Sequence, residues 1–400
     1  MRVRSCETYW LLKNGLINSY PSLHEDIDCD VLVIGGGITG SLMAWQFATE
    51  GYDTVLIDRN DVSLGSTSAT TALLQYEIDM PLYELIKTVG DQAARDCYRA
   101  GVDAIFKLEK IIQERQIACE FERKSSIYVA HNQKQRDMLR TELSCRESAG
   151  IDVEWLDQDD LLENYGVHGY GAIRSSVAAC LDGYCLTHAL LEDVTKSHSL
   201  RIYDHTEIDA IAYEATGNDV LVKGGWHIRT NKIIFATGYE TLSFLKDNVA
   251  DLISTYACVS EPLALPAPLR DNIFWNTDDP YLYLRSTHDS RILVGGADVP
   301  FKNALRRDAL IDRKETALVE QLKKFIPGLS IIPDFTWAGT FGVTKDALPY
   351  VGPHPDFPNS YFVLGFGGNG ITFSIMAMDI ISDAIAGRDN KFLQYFRFNR

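Results

Sequence analysis

The segment Asp30-Val-Leu-Val-Ile34-Gly-Gly-Gly-Ile-Thr-Gly40 decides how the rest of the chain is read. Asp30–Ile34 is an apolar run opened by one acid, the pattern of a strand buried on both faces of a parallel sheet. Gly35, Gly37 and Gly40 follow at G-x-G-x-x-G spacing, and Ser41–Thr49 continues as a helix. Gly35 permits the tight turn, Gly37 lets backbone approach a pyrophosphate, and Gly40 lets helix and strand pack closely. The first helical turn, with Ile38 and Thr39, turns free N–H groups and a positive dipole toward phosphates. A second strand, Thr54–Ile57, ends in Asp58 and Arg59, and Asp58 stands 18 residues after Gly40. An acid there accepts hydrogen bonds from ribose hydroxyls. The unit is strand, glycine turn, helix, strand, acid: a dinucleotide site.

The surrounding composition is that of an ordinary globular protein. The chain has 400 residues, 46% of them apolar and 23% charged, with a net charge of −17. That length suggests two or three domains at roughly 100–200 residues each. The acidic balance repels phosphate backbones, so no nucleic-acid partner is expected, and it disfavours docking on anionic lipid. The eight cysteines form no C-x-x-C pair and no metal-spaced set, so they read as thiols in a reducing compartment. No apolar run reaches the length of about 18 residues that a membrane span needs. The N-terminus lacks a continuous apolar h-region. A cytoplasmic enzyme without a bound metal is expected.

Further along, 81–118 and 132–149 carry helical periodicity, and Ala189–Ser197 reads as a short helix. Leu200–Tyr203 and Ile233–Ala236 read as strands, and Val220–Val222 with Trp226–Arg229 as a hairpin. Thr255–Val259, Tyr281–Leu284 and Arg291–Val294 make 255–300 strand-rich, and two helices are expected within 308–326. Pro349–Pro358 reads as a proline-rich loop, Tyr361–Leu364 as a strand, and Ile371 to about Ala386 as the last helix.

Two late glycine motifs favour FAD over NAD: Phe235-Ala236-Thr237-Gly238 at a strand end, and Gly365–Gly370 opening the last helix. Taken in order, these stretches resemble the FAD-dependent D-amino-acid-oxidase-like family. It includes sarcosine and glycine oxidases, D-amino-acid dehydrogenases and glutamylputrescine oxidoreductase. Asp30–Gly40 with Asp58 is similar to that family's ADP-binding unit. Gly65–Thr71, with Ser66, Thr67, Thr70 and Thr71, resembles its loop along the flavin. His205–Ile208 resembles the strand whose backbone touches adenine. Trp337–Gly339 through Gly352 resembles the late strand and turn near the isoalloxazine, and Gly367, Gly368, Asn369, Gly370 and Ile371 the C-terminal flavin loop. Ser5–Trp10 followed by Pro21 and Leu23 resembles the lead-in of the glutamylputrescine branch.

The resemblance implies a Rossmann-like FAD domain of the glutathione-reductase type, interleaved with a mixed-sheet α+β cap. We expect the FAD domain over 1–80, 151–240 and 336–400 and the cap over 81–150 and 241–335. It implies oxidation of a C–N bond by hydride transfer to flavin N5, giving an imine that hydrolyses, on an amine or a D- or N-substituted amino acid. The helix opening at Gly367–Ile371 would stabilise negative charge on the reduced flavin.

Departures sharpen these expectations. The cysteine that tethers flavin in the sarcosine-oxidase branch falls at Phe341, so FAD is expected to be non-covalent. That branch's carboxylate-binding arginine and lysine fall at Ala72 and Thr372. D-Amino-acid dehydrogenases often carry an arginine that also falls at Phe341. Arg285 remains as a possible carboxylate clamp. The lysine that promotes reaction with oxygen falls at Leu293, with Lys345 as a substitute, which tilts the expectation toward a dehydrogenase or a slow oxidase. The electron acceptor is oxygen, or a quinone or other carrier. Tyr76, Tyr256, Trp275, Tyr281 and Tyr283 are candidates to wall an amine pocket. The competing readings are a 2-hydroxyacid or polyol-phosphate dehydrogenase on the same fold, or a non-catalytic flavin-binding subunit. Substrate and oligomeric state stay open at this point.

Overall fold

The computed structural model describes residues 2–196, 200–243, 245 and 249–400. Its strands fall into two sheets. The first has a parallel core in the order Phe357–Leu364, His227–Phe235, Ile27–Ile34, Thr54–Ile57, Leu200–Tyr203, with Tyr350–His354 added antiparallel at one edge and Asn218–Val222 and Ile208–Tyr213 joined antiparallel through His227–Phe235. The run that opened the sequence reading lies in the middle, with Ile34 in register with Ile57 on one side and Phe235 on the other. Val31, Leu32 and Val33 are fully buried. Alternation then divides them. Val31 and Val33 pack into the cluster that holds the helices Ile38–Thr49 and Gly370–Ile385, while Leu32 and Ile34 face the opposite cluster with Phe235 and Phe362.

All the parallel strands end at one edge, the edge where open α/β sheets bind ligands. Gly35 turns the chain away from that edge with φ of 107°. A Cβ on Gly40 would stand 1.8 Å from the Gly35 carbonyl oxygen, so only glycine lets the helix begin there.

The second sheet runs Pro333–Val343, Asp251–Ser260, Ile292–Pro300, Leu282–Ser286, Asn272–Asn276, Glu122–Val129, Ala172–Cys180, Leu73–Gln75, with Val153–Leu156 joined to Ala172–Cys180. It is mixed, since Asn272–Asn276 pairs parallel with Glu122–Val129 while its other pairings are antiparallel. One face packs on the helix Ile311–Phe325 through Leu284, Val294, Leu318 and Leu322. Along Leu282–Ser286 the alternate residues, Tyr283 and Arg285, point the other way, toward the first sheet.

Several expectations change on the folded chain. Leu73–Gln75, Val153–Leu156, Ala172–Cys180 and Pro333–Val343 lie wholly or largely within the stretches assigned to the FAD domain, yet they hydrogen-bond into the second sheet. Short strands paired only with distant partners carry little local signal. The helical stretch 81–118 is held as two helices, Leu82–Val89 and Asp91–Arg115, divided at Gly90 with φ of 91°. The helix expected at Ala189–Ser197 begins at Gly183, where Asp182 caps it by accepting from the N–H groups of Tyr184 and Cys185, and Ser197 lies outside the described residues. Within 308–326 there is one helix, Ile311–Phe325; its short companion, Ala304–Asp308, precedes it. Pro349–Pro358 holds the strand Tyr350–His354, at a sheet edge where proline's missing N–H is tolerated. All eight cysteines are free thiols. Among the described residues no helix is long and apolar enough to cross a membrane.

Gly40→Ala is expected to destabilise the protein by about 2 kcal/mol or more, because helix and strand must part to admit the methyl group. A thermal melt within one degree of wild type would show that this contact is not needed.

Candidate active site

A cavity of about 1780 Å³ lies between the carboxyl edge of the parallel sheet and the inner face of the second sheet. A pocket for one small ligand spans roughly 300–1,000 Å³, so this space suits a dinucleotide and a second molecule. Gly35, Gly37, Ile38, Thr39, Asp58, Arg59, Ile208, Ala236, Thr237 and Gly238 line one end. Asp58 braces the turn there: its carboxylate accepts from the N–H groups of Gly36 at 2.7 Å and Asn60 at 2.8 Å. Burial pushes its pKa up, against those donors. Arg59 is ion-paired with Glu240. No side chain caps the helix at Gly37, though Thr67 Oγ1 accepts from the Ile38 N–H at 2.9 Å. A Cβ on Gly37 would stand 3.0 Å from that hydroxyl, so the cradle is shaped for backbone at close approach.

The middle of the cavity is lined by Ser66, Thr67, Thr70, Thr71, Gly339 and Gly367–Ile371. The loop through Thr70 and Thr71 is held from behind, where Trp10 Nε1 donates to the Thr70 carbonyl and Arg285 Nε to the Thr71 carbonyl. Asn369 sits at the N-cap of the helix Gly370–Ile385 but does not cap it with its side chain. Its amide instead donates to the carbonyls of Gln75 and Glu77, at 3.2 and 2.8 Å. The last helix therefore opens into the cavity with its first turn uncapped by side chains. These surroundings fit FAD: glycine-shaped backbone at both ends, an acid at the ribose position, and a helix N-terminus in the middle. Phe341 lines the cavity, and Cys6 is the one cysteine in its lining among the described residues.

The remaining end is walled by Tyr128, Trp275, Tyr281, Tyr283, Tyr256, Glu77, Asp79 and Asp298. Tyr128 and Trp275 stack at 3.5 Å between ring centroids, 5° from parallel. Gly295 makes room for Tyr283, because a Cβ there would meet the phenol at 2.2 Å. Burial pushes the Tyr281 and Tyr283 phenols up, keeping both as donors. Asp298 is pushed up to about 6, chiefly by burial, against hydrogen bonding from Thr255 and Tyr281. Its Oδ1 is buried without a hydrogen-bond partner. Asp79 accepts from the Gly368 N–H at 2.8 Å, and its pKa too is raised by burial.

Four of the expected site residues stand elsewhere. Gly40 packs beneath the glycine turn instead of lining the cavity. Arg285 spends its donors on the carbonyls of Thr71, Ser286 and Leu181, at 2.8, 3.1 and 3.0 Å, leaving no fork for a carboxylate. Tyr76 is buried behind the wall, where its hydroxyl accepts from Arg146 at 3.3 Å. Lys345 is an exposed turn residue away from the cavity, and among the described residues no lysine lines it. Thr372, at the lysine position of the sarcosine branch, donates to the Gln75 carbonyl, and Leu293 is fully buried. The sequence reading missed Glu77, Asp79 and Asp298. A single acid after an apolar stretch carries no local mark; only the pairing of strands brings these three together.

Gly37→Val is expected to yield protein without flavin, because two added methyl groups fill the phosphate approach; a yellow variant of normal flavin content would overturn that assignment. Acid precipitation of the wild type is expected to release all its flavin. Flavin retained in the pellet would point to Cys6 as a tether.

Comparison with known proteins agrees with this geometry. The chain is 28% identical to a Bacillus subtilis (strain 168) protein provisionally named Rieske 2Fe-2S iron-sulfur protein YhfW, over 98% of this chain and 75% of that one. It is 27% identical to gamma-glutamylputrescine oxidoreductase of Escherichia coli (strain K12), over 96% and 90% of the two chains. Its fold matches the crystal structure of glycine oxidase from Geobacillus kaustophilus with a TM-score of 0.78 at 18% identity, covering 93% of this chain and 99% of that one. The family pattern described as DAO, FAD dependent oxidoreductase, matches residues 30–384, and with its FAD-shaped cavity the chain belongs to that family of flavoenzymes.

Proposed function

We propose that this enzyme oxidises the C–N bond of an amine or substituted amino acid, with FAD bound non-covalently. The observation that carries the proposal is the charge of the substrate end. Glu77, Asp79 and Asp298 stand there among four tyrosines and a tryptophan. The arginines in the cavity lining are spoken for elsewhere. Arg59 is ion-paired with Glu240, Arg4 donates to the carbonyls of Leu64, Ser5 and Cys6, and Arg2 lies beside Cys6 at the N-terminus. Carboxylates and aromatic faces attract an ammonium group and repel a carboxylate or phosphate. The charge therefore disfavours simple α-amino acids, 2-hydroxyacids and polyol phosphates. Amine oxidation also accords with the named activity of the glutamylputrescine relative.

When bound, FAD supplies the two-electron oxidant, accepting a hydride from the carbon that bears the amine and leaving an imine for water to hydrolyse. The protein's task is to orient that carbon and to relieve the amine of its proton. Asp298, with its unpartnered Oδ1 and a pKa near neutrality, is the group placed to receive the proton. Tyr281 and Tyr283 donate hydrogen bonds and offer their faces to the substrate. With Leu293 buried and no lysine in the lining among the described residues, the enzyme passes electrons to a quinone or other carrier faster than to oxygen. Its eight free thiols suit the cytoplasm.

The test is anaerobic bleaching of the flavin band near about 450 nm by amines, amino acids and hydroxyacids, followed by readmission of oxygen. Bleaching by amines with slow reoxidation is expected; bleaching by hydroxyacids alone would refute the proposal. Asp298 must be ionised to accept a proton, so kcat/KM should rise with pH through about 6 and then level. Asp298→Asn should lower kcat/KM about 100-fold and remove that acid limb. An unchanged limb would assign it to another group.

A further inference from the structure

Beside the stacked Tyr128 and Trp275 rings lies a buried ionic cluster that includes Glu77. Arg146 Nε donates to Glu142 at 2.7 Å, and Arg146 Nη1 donates to Glu77 Oε1 at 3.3 Å. Arg146, Glu142 and Glu77 are 1%, 0% and 4% exposed. Glu142 is also satisfied by the Tyr83 N–H at 3.1 Å. One guanidinium therefore faces two carboxyl groups, one more than it can neutralise. The imbalance falls on Glu77, whose Oε2 is buried without a partner. Burial raises the Glu77 pKa, against Arg146 and the nearby Ser126 hydroxyl. Ser126 Oγ accepts from Trp275 Nε1 at 3.0 Å and Gln75 Nε2 at 3.4 Å, and its own O–H is left to donate to the Glu77 carboxyl group. An uncompensated buried charge is costly unless it is neutralised or paired.

Glu77 is also the one member of the cluster that lines the cavity, and Asp79 follows it on the same wall. The carbonyl of Glu77 is pinned by Asn369 at 2.8 Å, so the carboxylate is held in fixed relation to the loop Gly367–Ile371. The Tyr128–Trp275 stack adds π faces that favour a cation at the same place. Asp298, on the second sheet, supplies a separate anionic point for the reacting amine.

We propose that the substrate is a diamine or longer polyamine, with its distal ammonium bound by Glu77 Oε2 against the Tyr128–Trp275 wall while its reacting amine lies at Asp298. The proposal rests on the amine reading above and narrows it to substrates with two cationic groups. A second ammonium completes the buried cluster, so binding contributes a charge-assisted hydrogen bond where the free protein has an unpaired oxygen.

The experiment compares butylamine with 1,4-diaminobutane on the wild-type holoenzyme. Anaerobic flavin reduction gives kcat/KM, and calorimetry on the dithionite-reduced holoenzyme gives Kd. The diamine is expected to be about tenfold or more better in both, the size of one charged hydrogen bond. In Glu77→Gln the diamine-to-monoamine ratio should fall close to one in both readouts, with flavin content checked to confirm folding. Equal efficiency of the two amines on wild type would overturn the diamine proposal and leave amine oxidation standing, and needs no variant. A ratio that survives Glu77→Gln in a flavin-replete protein would overturn the assignment to Glu77. Reduction by hydroxyacids alone, or by none of the amines, would overturn both proposals.

Discussion

Gly40 leaves no room for a Cβ against the carbonyl of Gly35, and the site depends on that contact. A helix can begin directly above the end of a strand only if its first turn carries no side chain toward that strand. With that contact made, the first turn of Ile38–Thr49 faces the carboxyl edge of the parallel sheet. Asp58 then reaches the Gly36 N–H from the neighbouring strand and locks the turn. The opposite wall is built by a second helix N-terminus, at Gly370, and the two helices are tied by a hydrogen bond between Thr39 and Ser374 at 2.8 Å. One steric allowance therefore places both ends of the cofactor site.

Buried arginines do the corresponding work between the two sheets. Arg285, 2% exposed, reaches from the second sheet to the carbonyls of Thr71 and Leu181. It holds the loop that runs along the cavity, and its guanidinium lies 5.4 Å from the Trp10 ring centre. Arg146 gathers Glu142, Glu77 and Tyr76 behind the substrate wall. A guanidinium has five donors in a fixed plane, which suits it to satisfy several acceptors where water is excluded. Cations that would bind an anionic substrate in an open cavity are here consumed by the scaffold, and the cavity keeps the carboxylates.

Much of the first sheet could be read directly because its signals are local. Val31–Ile34 is apolar without a break, and Gly35, Gly37 and Gly40 each answer a steric demand within a few residues. The second sheet was harder. Ala172–Cys180 pairs with Glu122–Val129, Leu73–Gln75 and Val153–Leu156, all far off in sequence, and its own residues are small and of mixed polarity. The divided helix at Gly90 and the edge strand at Tyr350–His354 show the same limit. Glycine and proline mark a change of direction, but what lies on each side depends on partners elsewhere.

Local chemistry in the sequence determined the dinucleotide motif and the order of the glycine loops, which are matters of residue type at short spacing. The family resemblance those motifs carry implied, in turn, that the usual carboxylate-binding residues are missing at Ala72, Thr372 and Phe341. Tertiary structure alone decided which polar groups line the cavity. It sent Arg285 and Tyr76 into the scaffold and brought Glu77, Asp79 and Asp298 to one end of the cavity from segments some 220 residues apart. The physical reason is that a charge acts through space, and its strength follows from burial and from which partners have already used it. Neither is written in the neighbouring residues.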